Sequence, residues 1–250
     1  MRIAALVVIS ALLVAGCATA PPAPKIEAAR GDRIGVLIEI GDNPTHTHIG
    51  TTVFNNFVKK YPYNWNLNTD VMRIFQQTIR NSGFSPVDLR AEGIRYEDVS
   101  EFIQAAGEKW QVAPGKEDTA RRLGDQLRLK ALLVLKEARV MAALECSGGP
   151  CSERYADASG LYTRSFLGST RYYAVAAYRW NFFVLDPVAD TATADPLRRV
   201  LRIPAMPLPG FKDPAKFDDL TEADFGSARD AILRFAEAVS AEALKTLNSK

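Results

Sequence analysis

The chain has 250 residues, 47% of them hydrophobic and 24% charged, with 31 Lys+Arg against 29 Asp+Glu. Those values exclude a chain disordered throughout, a collagen and a disulfide-dense miniprotein. The even charge balance gives no electrostatic grip on nucleic acid, and three Cys and two His starve most metal and nucleophile schemes.

The N-terminus reads MRIAALVVISALLVAGC. Arg2 is a short positive start, Ile3–Val14 is apolar apart from Ser10, and Ala15-Gly16 forms a small-residue exit. Those are the three parts of a secretory signal, and the run is short of the roughly 20 apolar residues a membrane span needs. Leu13-Val14-Ala15-Gly16-Cys17 resembles the lipobox of bacterial lipoproteins. The resemblance implies a signal peptide over 1–16, cleavage before Cys17, and acylation of Cys17. One acyl chain binds a bilayer reversibly and two bind it stably, so the three of a lipoprotein Cys imply a lasting membrane partner. In that family Asp after the Cys favours inner-membrane retention. Ala18 stands there instead, which implies the outer membrane, periplasmic face. Residues 17–32 then read as a tether, because Pro21, Pro22 and Pro24 favour extended polyproline II.

The remaining chain, 33–250, reads as one periplasmic α/β domain. Arg33–Ile40 alternates with Ile34, Val36, Ile38 and Ile40 on one face, a strand ended by Asp42-Asn43-Pro44. Thr45–Asn66 shows no clear period and reads as a long loop. Thr69–Ser82 is a helix capped at Asn68 or Thr69 and closed by Gly83. Phe84–Leu89 is a short strand that Pro86 demotes to an edge. Glu97–Ala106 and Asp118–Leu127 read as helices. Lys130–Val140 is a strand, and its continuous apolar run Ala131–Leu135 suits burial on both faces.

Cys146 and Cys151 flank the turn-forming Ser-Gly-Gly-Pro. Export to an oxidising compartment and an even number of remaining thiols point to a disulfide. A metal or redox pair is the other reading, although redox pairs usually have two intervening residues. Gly160–Leu167 and Tyr172–Leu185 read as a hairpin around Gly168-Ser169. The second strand would span about 46 Å, long enough to expect a bend or bulge. Leu197–Ile203 reads as a return strand and Ser227–Leu247 as the final helix. The expected fold is α/β: a single mixed β-sheet flanked by helices, a β-meander in the second half and a C-terminal helix.

This order of elements resembles the α/β domain shared by several envelope proteins. They are the curli-secretion-channel lipoprotein, the lipoproteins that activate penicillin-binding proteins, and the amino-terminal domain of the Tol-system propeller protein. Thr69-Asp70, Ser82-Gly83-Phe84, Val87-Asp88-Leu89, Ala120, Leu123 and Gly124, and Leu185-Asp186-Pro187 carry the resemblance. It implies an interaction module and not a catalyst. With the anchor and without a catalytic motif, the expected partner is an envelope protein or peptidoglycan.

His46 and His48 lie two apart, so on an extended segment both point the same way. With Asp42 they would make a small metal or hydrolytic site, which is the alternative reading. A metal needs further ligands and supporting hydrogen bonds at a recognisable spacing. No Gly-x-Ser-x-Gly and no Gly-rich phosphate loop occurs. No cofactor is implied. Tyr61, Tyr63 and Trp65, with His46 and His48, are the candidate contact surface, since Tyr and Trp are enriched at binding hot spots.

Overall fold

The structure, a computed structural model, describes residues 21–145, 152–193, 195, 197–202 and 204–248. The signal peptide, Cys17, Cys146 and Cys151 lie outside the described residues. In chain order the first half forms β1 (Arg33–Glu39), β2 (Thr45–Ile49), β3 (Phe57–Lys60), α1 (Leu67–Asn81), β4 (Ser85–Asp88), α2 (Tyr96–Val99), β5 (Ile103–Ala106), β6 (Lys109–Val112), α3 (Glu117–Arg121) and β7 (Leu129–Glu137). The second half forms β8 (Val140–Glu145), β9 (Ser152–Ala156), β10 (Gly160–Phe166), β11 (Ser169–Val175), β12 (Tyr178–Leu185), β13 (Val188–Asp190), α4 (Leu197–Leu201), β14 (Ala205–Pro207) and α5 (Gly226–Lys245).

The architecture is mixed α/β with a meander and a C-terminal helix, but the described strands form two five-stranded sheets and the two-stranded pairs β5-β6 and β8-β9, where one sheet was expected. The first has the order β13-β12-β7-β1-β4, with β4, β1 and β7 parallel. The second has the order β14-β11-β10-β2-β3, with β2 and β10 parallel. The cause lies in the long strand expected over Tyr172–Leu185. It breaks at Ala176-Ala177: β11 pairs into the second sheet and β12 into the first. The expected bend is therefore a change of sheet.

The first sheet is buried on both faces. Ile34, Val36, Ile38, Leu133 and Leu135 pack on one side with α1 and α5, through Val71, Phe75, Ile79, Ile232 and Val239. Leu37, Leu132 and Val134 pack on the other side with Leu89, Ile94, Val99, Phe102 and Leu123. The near-continuous apolar run of β7 follows from this double burial. β4 is the edge that Pro86 predicts. Gly83, at φ +87°, closes α1, with its N–H donating to the Arg80 carbonyl and that of Phe84 to the Ile79 carbonyl.

Four local readings change. Thr45–Asn66 contains the β2–β3 hairpin: its inward residues are His, so no apolar alternation marks it. The helix expected over Glu97–Ala106 ends after one turn at Val99, and β5 and β6 then pair around Gly107, at φ +62°. Leu197–Ile203 is helical over Leu197–Leu201, where Leu197, Val200 and Leu201 follow a helical spacing and Asp195 pairs with Arg198 and Arg199. The return strand is β13. The described part of the tether lacks helix and strand, yet packs Ile26 into the main core at 3% exposure. Among the described residues no helix is long and apolar enough to cross a membrane.

Candidate binding cleft

In an open α/β sheet, ligands bind beyond the carboxyl ends of the parallel strands, where the strand order reverses. Here the chain leaves β1 for β4 on one side and returns to β7 on the other, so that point lies between β1 and β7. A cleft of about 1090 Å³ opens there. Glu39 to Asn43, Lys136 to Ala138, Arg90 and Gly93 to Arg95 line it from the first sheet's loops. Thr45, Lys60, Asp157 and Ala158 line it from the end of the second sheet.

Several of its polar groups are committed to one another. Lys136 Nζ lies 2.8 Å from Glu39 Oε2, and the Tyr96 N–H donates to Glu39 Oε1 at 3.2 Å. Burial pushes the Glu39 carboxyl up, but the Lys136 and Tyr96 hydrogen bonds and the charges of Lys136 and Arg90 outweigh it and hold it below the usual carboxylate range. The Glu39 bond in turn raises Lys136. Asp42 accepts from the Asn68 N–H at 3.0 Å and from Asn68 Nδ2 at 3.1 Å, while the Ile40 N–H donates to Asn68 Oδ1 at 3.2 Å. Asn68 therefore latches the β1–β2 connection to the start of α1 and does not cap the helix. The N-cap is Asn66, in the left-handed region at φ 52°. Asp157 pairs with Arg139 at 3.0 Å. Among the described residues Lys60, Arg90, Arg95 and Glu137 form no ion pair. The unpaired balance is three cations to one carboxylate.

The candidate contact residues are turned inward. His46 and His48 do share one face of β2, but both are buried, at 0% and 6% exposure. Nε2 of His46 and Nδ1 of His48 lie 2.8 and 2.9 Å from the Thr163 hydroxyl, and Phe57 and Phe217 pack against both rings. Burial first, then the neighbouring His48 and Lys59, lower the His46 imidazole to about 4. Burial and Arg164 lower His48. Asp42 is on Asn68 and not on either imidazole, so the alternative site is not assembled. Tyr61 and Trp65 are buried and Tyr63 half-buried, and all three rings pack around Phe225. Tyr61 and Tyr63 also fix the segment before that residue: Tyr63 donates to the Leu220 carbonyl at 3.0 Å, and the Tyr61 hydroxyl accepts from the Leu220 N–H at 3.1 Å. Sequence reading missed Lys60, Arg90 and Arg95. Lys60 ends β3, Arg90 follows β4 and Arg95 caps α2, so no shared local pattern marks them in the sequence.

Among the described residues no three His, Cys, Asp or Glu converge as metal ligands. No protein-family model matches the chain, and no curated protein matches it. A search of solved structures finds a point variant of the PelC dodecamer from Paraburkholderia phytofirmans. It has 9% identity and a TM-score of 0.21, and the match covers 72% of this chain and 86% of that one. A likeness of that size carries no argument.

Proposed function

We propose that this chain is a non-enzymatic lipoprotein, held at the periplasmic face of the outer membrane by acyl chains on Cys17. Its α/β domain binds an envelope component, a protein complex or the cell wall, in the cleft at the carboxyl edge of β1 and β7. Leu13-Val14-Ala15-Gly16-Cys17 supports the anchor. The cleft carries the binding half of the reading: Lys60, Arg90 and Arg95 face it without ion-pair partners among the described residues, while its other charges are largely committed. Such a site favours an acidic group on the partner.

Intact mass of the purified protein tests the anchor. Three acyl chains on residue 17 support it, and an unmodified Cys17 overturns it. Sedimentation with purified peptidoglycan and cross-linking in cells test the cleft, comparing the native chain with Arg90→Glu/Arg95→Glu. Loss of peptidoglycan binding, or of one specific cross-linked partner, in the variant supports the reading. Binding that is equal in both chains overturns it.

A further inference from the structure

β2, β10 and β11 run between the cleft and the opposite end of the second sheet. Thr45 and Ala158, at the starts of β2 and β10, are at the cleft. The far ends carry two loops, Gly50–Asn56 and Leu167-Gly168. The loops are joined to each other: Arg164 donates to the Gly50 carbonyl, and Thr51 Oγ1 donates to the Ser165 carbonyl at 3.3 Å. Within the first loop the Gly50 N–H donates to Asn56 Oδ1 at 2.8 Å. The tip is therefore built, not loose.

Its composition is opposite to that of a solvated loop. Among the described residues seven large hydrophobic side chains are exposed, and five belong to this end: Val53, Phe54, Val58, Phe166 and Leu167. Phe54 is 92% exposed and Leu167 80%. The stretches Ile49–Val58 and Ser165–Thr170 contain no Asp, Glu, Lys or Arg, in a chain that is 24% charged. Leu167 is also held at φ 47°, where a side chain of its type is strained. Folding alone gains nothing from an exposed, strained Leu, and strain of this kind marks sites kept for binding.

We propose that this tip inserts into the surface of a lipid bilayer, as a second membrane contact besides the acylated Cys17. Exposed patches of this kind mark protein or membrane contacts, and two features favour lipid. Protein interfaces are enriched in Tyr, Trp, Phe, Met and Arg, and of these only Phe projects here, beside Leu and Val. The absence of any charge in these two stretches lowers the cost of entering the acyl region, and the flanking Arg164 guanidinium is held by the Gly50 and Ser165 carbonyls. The inference rests on the anchored reading only for the nearness of a bilayer.

The test uses the full chain in cells, with benzoylphenylalanine in place of Phe54 and, as control, in place of Tyr155, which is 59% exposed elsewhere. After irradiation, the peptide carrying position 54 gains the mass of a membrane lipid and the control peptide does not. Leu167→Asn lowers the lipid adduct about tenfold, the partition factor of one aliphatic side chain. An adduct to another protein, an adduct to a second copy of the chain, or no adduct overturns the inference. Acylated Cys17 without a lipid adduct at 54 sinks the tip and leaves the anchor. A lipid adduct with unmodified Cys17 does the reverse.

Discussion

The Thr163 hydroxyl on β10 stands 2.8 Å from Nε2 of His46 on the neighbouring parallel strand β2, and so ties the middle of the second sheet to a residue with no exposed surface. That hydroxyl has one proton and also meets His48, so at least one imidazole must donate to it. Among the described residues His46 Nδ1 is buried without a partner. Because a bare acceptor is tolerated better than an orphaned N–H, His46 carries its proton on Nε2. Thr163→Val leaves both rings short of a partner and should cost about 2–3 kcal/mol, whereas Thr163→Ser should cost about 1 kcal/mol. Urea unfolding midpoints read both, and equal midpoints for Val and native chain would contradict the arrangement.

Acidification should expose the same cluster. The His46 value falls from 6.5 unfolded to about 4 folded. Between those pH values the unfolded chain binds more protons, so stability drops as pH falls through the window and levels off below it. The order of magnitude is about 3 kcal/mol, and His48 adds in the same direction. Imidazole resonances followed by NMR should show no titration of His46 near 6.5.

Asp190 works against this trend. Burial pushes its carboxyl up to about 6, despite hydrogen bonds from Ala192, Asn181 and Phe182. A raised acid contributes stability below its unfolded value of 3.8 and loses it as pH rises through 6. Asp190→Asn should therefore raise the urea midpoint at pH 7.5, by about 1 kcal/mol after the lost carboxylate bonds. The gain should vanish near pH 4, making the variant's decline on acidification steeper than the native one. Parallel curves for the two chains would refute the assignment.

A methyl group on Gly160 would overlap the Thr45 carbonyl, since φ there is +155° and the paired strand β2 lies against it. Backbone cannot yield as a side-chain tip can. Gly160→Ala should cost about 3 kcal/mol or more and shift the β2–β10 pairing, visible as faster amide exchange at Thr45 to His48.

Leu167 and Gly168, at φ 47° and 81°, form a two-residue hairpin turn that suits Asn-Gly. Leu167→Asn should stabilise the fold by about 1 kcal/mol in thermal or urea unfolding. A destabilised variant would mean that the leucine side chain is used within the fold.

Much of the first sheet was legible because its strands alternate or run continuously apolar: Ile34, Val36, Ile38 and Ile40 and the run Ala131 to Leu135 are buried as their patterns require, although Leu37, on the opposite face of β1, is buried as well. The final helix and α1 were legible for the same reason. β2 was not, because Thr-His-Thr-His carries no apolar period and its burial is satisfied by a hydroxyl 115 residues or more away. The cleft was illegible for another cause. It is made by six separate stretches of the chain, and Lys60, Arg90 and Arg95 belong to no local pattern. Tyr61 and Trp65 were open to either reading, and Phe225, far along the chain, turns them inward.

The chain passes from one sheet to the other through Ala176-Ala177, two residues with a single side-chain carbon each and no exposed surface. The Ala138 N–H, at the cleft, donates to the Ala177 carbonyl at 2.9 Å. There is no slack joint at this crossing. Whatever steadies Phe54 and Leu167 at one end thus also fixes the bearing of Lys60, Arg90 and Arg95 at the other. A leash alone would supply nearness; this elbow lets the molecule supply aim.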